Sequence, residues 1–330
     1  MAGRTETAPL PETDPAGGPS GRPHMLRAAW RQHRLWVIGT VALVAVGAVV
    51  LATAVALIPA CASTPWWEKP GEKCDLEPTR MLWRLFRVAM AALPILTGVV
   101  LGAVTFGPDV EHRTQVYALT QGVDRLRWWA VKALTVSAPV FAAAALLGMA
   151  TLWVVDTSDV LSTNRLTSPG FDILGLIPAT RFLTAYTAAA AAAVLWRTVG
   201  GIVAGLLIAV VVVVGSGMLQ PVVVLHNRDI VPIRPWLAGQ TAALMSDPKS
   251  AYGWGGYADS DGREVDTTTF DCGQMTFSDC VVAQGVTYRI ETYVADSQYP
   301  RMMLIISSLN LLISGGLLGL GCWTLRRRDL

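Results

Sequence analysis

From residue 35 to residue 60 the chain carries no charged side chain. No other feature restricts the fold so tightly. In hydrocarbon every backbone N–H and C=O must be satisfied inside the segment, so a run of this kind folds as a helix. Crossing a core roughly 30 Å thick takes about 20 apolar residues. Further apolar runs lie at 88–106, 133–155, 182–196, 202–225 and 302–325. The run at 182–196 is the weakest and contains the alanines 188–193; Arg197-Thr198-Val199-Gly200-Gly201 separates it from the next. Composition agrees, because only 15% of residues are charged, against about 25% in soluble domains. The sequence therefore predicts an all-α membrane protein with six transmembrane helices.

Six crossings put both termini on one side, and the Lys/Arg bias of the short loops says which. With the N-terminus inside, the cytoplasmic segments hold Arg4, Arg22, Arg27, Arg31, Arg34, Arg113, Arg125, Arg127, Lys132, Arg197 and Arg326 to Arg328. The short outer loops then hold only Lys69, Lys73, Arg80 and Arg165. The long segment 226–301 is left out of the comparison, since long loops cross regardless of charge. The expectation is a multi-pass protein of the cell membrane with N-terminus and C-terminus both cytoplasmic.

The domain plan follows. Residues 1–24 are rich in Pro, Gly, Thr and Glu and read as a disordered cytoplasmic tail. Residues 25–34, with Arg27, Trp30, Arg31 and Arg34, suit an interfacial helix under the headgroups. Residues 35–225 hold transmembrane helices 1–5, with a cytoplasmic coupling loop at 107–132. Residues 226–301 form an extracellular, cap-like segment between helices 5 and 6, and 302–330 the sixth helix with a basic C-terminus. In this topology Cys61 and Cys74 share one outer loop and Cys272 and Cys280 the other, while Cys322 sits alone in the sixth span. An oxidising exterior and cheap closure within each loop favour the disulfides Cys61–Cys74 and Cys272–Cys280; unpaired thiols are the alternative. Val281, Val282, Val286, Tyr288, Ile290 and Tyr293 suggest one or two short strands in the cap. Asp259-Ser260-Asp261-Gly262 has the start of a calcium loop but lacks the downstream glutamate.

Several chemistries are excluded by inspection. None of the four lysines, Lys69, Lys73, Lys132 and Lys249, follows a glycine, so there is no phosphate loop of the G-x4-G-K-[ST] type. His24, His33, His112 and His226 show no zinc-binding spacing, and no G-x-S-x-G elbow occurs. A net charge of +2 implies no basic surface for nucleic acid. No catalytic residue and no metal site is expected, which leaves transport, binding or scaffolding.

The loop after the second span is the most informative stretch. Pro108 after Gly107 can open a helix, with Asp109 and Glu111 in its first turn. Val116, Leu119, Val123 and Leu126 then give one apolar face. A loop that merely connects is the competing reading of these residues. The pattern Glu111-x-x-Thr114-x-x-x-Ala118-Leu119-Thr120-Gln121-x-Val123-x-Arg125-x-Arg127-Trp128-x-x-x-Lys132 resembles the first cytoplasmic loop of ABC type-2 permeases, most of all their actinobacterial branch. Residues 171–178 and Tyr299-Pro300-Arg301, with Trp323 and the terminal arginines, resemble other parts of the family. The chain departs from the family pattern at Arg113, where a glycine is usual, at Asp109, and in the long outer segment.

That resemblance implies a permease subunit of an ABC exporter that forms the path for an amphipathic or lipid-like substrate. Two copies of a separate ATPase subunit would supply the power, and a second permease subunit, identical or homologous, would complete the path in the bilayer. ATP and magnesium would belong to the ATPase, with no cofactor in this chain. Glu111, Thr114, Gln121, Arg125 and Arg127 would carry coupling or gating. Ser307, Asn310 and Ser314 form a polar stripe on the sixth span, which marks either a pathway or helix packing; the neighbouring Gly315-x-x-x-Gly319 favours packing. Gly201-x-x-x-Gly205 reads as another close helix contact. Arg84, Arg87 and Arg181 are expected to snorkel to headgroups. The alternative function is a degenerate permease acting as a membrane sensor or scaffold that binds a ligand or peptide through its outer segment.

Overall fold

The computed structural model describes residues 22–58, 77–112, 124–158, 161, 165–166, 170–223, 227–232, 251–267, 270–273 and 275–327. Helices dominate. Among the described residues five are long and apolar enough to cross a membrane, over Leu26–Ala56, Glu77–Glu111, Leu126–Thr157, Ile177–Gly215 and Asp296–Thr324. They belong to the elements α1 (Arg22–Ala56), α2 (Glu77–Glu111), α3 (Arg125–Thr157), α4 (Ile177–Val223) and a final helix α6 (Tyr299–Arg327). Between α4 and α6 lie β1 (Asn227–Pro232), β2 (Ala251–Ala258), β3 (Glu264–Val265), the short helix α5 (Phe277–Ala283) and β4 (Tyr288–Val294).

Helix α1 is continuous from Arg22, so residues 25–34 are its opening turns, where a separate interfacial helix was expected. Its outer face carries Leu35, Trp36, Ile38, Val46 and Val49, all exposed, while Val37, Leu51 and Ala54 face the bundle. The helix stops short of Pro59, whose ring disfavours helical geometry in the residue before it. Thr79 of α2 donates its hydroxyl to Leu57 O at 3.0 Å and so occupies one of the carbonyls left open at that end.

Helix α2 passes through both Pro94 and Pro108. Pro108 therefore does not open a new helix: the His112 N–H closes on Pro108 O at 2.9 Å, and Asp109 and Glu111 fall in a last turn, where a first turn was expected.

Helix α4 takes in the fourth and fifth apolar runs. It is interrupted at Trp196 (φ −125°, ψ 18°) and Arg197 (φ 65°, ψ −171°), and its two arms, 177–195 and 198–223, lie back to back. A Cβ on Gly201 would stand 2.9 Å from Ala193 Cα, and one on Gly205 would stand 2.8 Å from Ala189 Cα. Pairing 193 with 201 and 189 with 205 is the register of an antiparallel hairpin. The alanine run permits it, since no side chain beyond Cβ separates the backbones. The first arm is the axis of the bundle, with Phe182, Ala185, Tyr186, Ala188 to Ala190, Ala193 and Val194 fully buried. Helix α2 presses on it equally closely: a Cβ on Gly98 would stand 2.5 Å from Phe182 O, and one on Gly102 would stand 2.2 Å from Tyr186 O. The second arm, by contrast, exposes Val199, Val203, Leu207, Val211 and Met218, which suits a lipid-facing surface.

The segment expected as a cap, in an all-α protein with one or two short strands there, contains a four-stranded antiparallel sheet of order β1-β4-β2-β3. Tyr288, Ile290 and Tyr293 do lie on a strand, β4, paired through Ile230↔Ile290 to β1 and through Tyr252↔Tyr293 to β2. Val281 and Val282 instead belong to α5, which begins at the N-cap Thr276. Val281 packs with Tyr257 and Val286 into a small core of its own. Cys272 and Cys280 are joined by a disulfide, whereas Cys61 and Cys74 lie outside the described residues. Asp259 Oδ1 accepts the N–H groups of Asp261 and Arg263, each at 2.9 Å, so its carboxylate shapes the β2–β3 turn.

Candidate coupling site

An acid in the last turn of a helix faces the negative end of its dipole and needs a cation or a donor from elsewhere. Helix α2 ends on two such acids. Glu111 Oε1 accepts the backbone N–H of Thr198 at 2.9 Å, and Thr198 is the first residue of the second arm of α4. The carboxylate thus sits at the positive end of a different helix, as a cap supplied from a distance. The contact is tight, because a Cβ on Gly107 would stand 2.7 Å from Thr198 Cα. It also fastens the residue that follows Arg197, whose positive φ is uncommon for a side chain of this kind and persists only where the surroundings hold it.

Asp109 is ion-paired with Lys132 of α3, and both side chains are largely buried. The Lys132 ammonium lies 5.7 Å from the Phe106 ring centroid and 5.4 Å from that of Trp128, so two aromatic faces share the charge. Phe106 also rests on Trp129 with ring centroids 3.9 Å apart. His33 of α1 is buried at the same end, within electrostatic reach of Lys132 and Asp109. The ends of α1, α2 and α3 and the turn of α4 therefore converge directly beside the connection from α2 to α3.

Of the residues expected to couple, Glu111 has this contact. Thr114 and Gln121 lie outside the described residues. Arg125 opens α3; Arg127 is exposed, and its backbone N–H is held by the N-cap Asp124 at 3.2 Å. Sequence reasoning missed Asp109, Lys132 and Thr198 as members of one site. The available signal was a lone lysine three residues past a tryptophan pair, at the edge of an apolar run, with an acid on the preceding span.

The polar stripe of α6 lies in a seam against the first arm of α4. Asn310 Nδ2 donates to Thr180 Oγ1 at 3.3 Å, and Thr184 Oγ1 donates to Asn310 O at 3.2 Å. The Thr184 and Ser314 hydroxyls are 3.1 Å apart. Ser307, Asn310 and Ser314 are all buried, and interhelical hydrogen bonds of this type contribute about 0.6 kcal/mol each in a membrane. Gly201 and Gly205 make the close contact expected of them, whereas among the described residues no other helix comes within 4 Å of the Cβ positions of Gly315 and Gly319.

The opposite end of the bundle, nearest the sheet, is also charged. Arg165 binds Asp156 at the end of α3 and Asp296 just before α6, and its guanidinium lies 5.1 Å from the Tyr299 ring. Burial alone would lower the Arg165 pKa, but the hydrogen bond and charge of Asp296, with Asp156, outweigh it and raise the group above its ordinary value. Arg181, on the first arm of α4, does not snorkel: it is 5% exposed and pairs with Asp172 at 2.7 Å. Gly175, at φ +61°, donates its N–H to Gly148 O at 2.9 Å and lets the chain turn into α4.

Comparison with curated proteins and with solved structures finds no match to this chain. The profile of the family described as ABC-2 membrane transporter related matches residues 41–221. That region holds Asp109, Glu111, Lys132 and Thr198 together with the hairpin of α4. Members of this family are membrane subunits of transporters, generally act with an ABC ATPase and are generally not catalytic themselves. With more than half of its length inside that match, the chain belongs to the ABC-2 membrane transporter related family.

Proposed function

We propose that this chain is the permease subunit of an ABC exporter in the cell membrane, crossing six times with both termini in the cytoplasm. Its path, completed by a second permease subunit, carries an amphipathic or lipid-like molecule outward. Two copies of a separate ATPase drive the change between two packings of the helices. The observation that carries this reading is the pair of ties at the end of α2. Glu111 reaches the hairpin turn of α4 and Asp109 reaches α3. A push on the loop between α2 and α3 then moves two other helices directly, which is the connection a coupling element needs.

The test is purification of the detergent-solubilised chain from its native host, followed by ATPase assay of the complex with and without Glu111→Ala. Co-purification of an ATPase, with turnover lowered or uncoupled by the substitution, is the expected result. Purification of the chain alone, with no nucleotide-hydrolysing partner, overturns the reading. The segment that holds the sheet and the Cys272–Cys280 disulfide supports a second reading as a ligand-binding sensor, which differs in keeping ATPase association while showing no substrate flux.

A further inference from the structure

Two grooves run along the helical bundle. One, of about 280 Å³, lies among α1, α2, α3 and the first arm of α4 and is lined by residues such as Gly47, Leu85, Pro94, Ala144 and Phe182. The other, of about 520 Å³, lies between α3, the first arm of α4 and α6. Its floor includes Ala133, Ser137 and Thr187, and its mouth is formed by Leu126, Cys322 and Trp323. Both are walled by apolar surface, and both have the size of a ligand site.

What separates them is the polar equipment of the second groove. Arg327 stands one helical turn beyond Trp323, and its guanidinium stacks 4.1 Å from the centre of that ring. The cation is exposed and held at the rim by its own helix. Arg127 is also exposed and lies one residue from Leu126 at the same end. Among the described residues no cation is comparably stacked on a lining residue of the first groove. An apolar trough with a fixed guanidinium at its mouth matches an amphiphile whose head is anionic.

We propose that this groove binds an anionic lipid of the leaflet at the loop end, its chain lying against Ala133 and Gly319 and its head at Arg327. The site stands whether or not the occupant is transported. Stacking on Trp323 leaves the guanidinium edge free to donate to a phosphate while the ring covers its face.

Cys322 is a free thiol in the mouth of the groove and reports occupancy. The full chain in detergent is titrated with phosphatidylglycerol or phosphatidylcholine, and alkylation of Cys322 by an apolar maleimide is followed by peptide mass spectrometry. Phosphatidylglycerol is expected to protect the thiol at about fivefold lower concentration than phosphatidylcholine, the size of effect one interfacial arginine supplies. Arg327→Gln is expected to erase that difference, and Gly319→Phe, which meets open space on its own helix, to abolish protection by both lipids. Equal protection by the two lipids in the unaltered chain, or a difference that survives Arg327→Gln, overturns the headgroup assignment. No protection by either lipid overturns the site.

Discussion

At the sheet end of the bundle one guanidinium, Arg165, gathers carboxylates from α3 and from the approach to α6, whereas at the loop end two neighbouring acids of α2 reach out to different helices. Ties that converge on one residue make the elements they join move together. Ties that diverge from one helix end let a single displacement be divided between two receivers. The same chemistry, carboxylates with partners on other elements, therefore serves as a clamp at one end and as a splitter at the other. On this view the sheet end is the fixed end, and relative motion of the helices is concentrated at the loop end.

The sharpest way to break that comparison is at Arg181. Arg181→Met removes the cation facing Asp172 in the interior, where breaking such a pair costs about 3–5 kcal/mol. Loss of a monodisperse purified protein, or a large fall in its thermal unfolding temperature, is expected; an unchanged melting curve would mean that the Arg181–Asp172 pair does not hold the sheet end together. Lys132→Met comes second. Asp109 is 13% exposed and can be hydrated in part, so a smaller loss of about 2–3 kcal/mol is expected, checked in the same thermal assay. The smallest effect on stability is expected for Glu111→Ala, whose acid is exposed. Its signature is local: amide hydrogen exchange measured by mass spectrometry should speed up over peptides covering 198–205 and leave those covering 177–190 unchanged. Equal acceleration in both arms would show that the hairpin opens as one unit and that the tie to Glu111 is not separable.

Much of this frame can be read from the sequence, because hydrophobic run length depends only on neighbours along the chain. The apolar runs, the break at Arg197 and the close approach at Gly201 and Gly205 all follow from local composition. The charge pairs do not. Which helix faces Asp109 depends on the packing of α2 against α3, and nothing within either segment encodes it. Gly107-Pro108 illustrates a local rule overridden: proline is tolerated early in a helix, yet here α2 continues through it, because the glycine lies against Thr198 and the helix end is fixed by tertiary contact. Val281 and Val282 were drawn toward a strand by their branched side chains. The better signal was Thr276 three residues before Asp279, where Thr276 Oγ1 accepts the Asp279 N–H at 3.3 Å and starts a helix. The stripe at 307, 310 and 314 was visible as a helix face, but its partners Thr180 and Thr184 were not.

The turn between the arms of α4 has a further consequence for how the chain can vary in length. Only Trp196 and Arg197 depart from helical geometry, so the connection has no slack. Inserting one residue there would rotate the second arm by about 100° about its axis. Gly201 and Gly205 would swing away from the alanines, and larger side chains would take their place against a backbone that admits none. Homologous chains should therefore differ in length at the sheet segment and in the longer loops between helices, while this junction keeps its residue count even where its residues change.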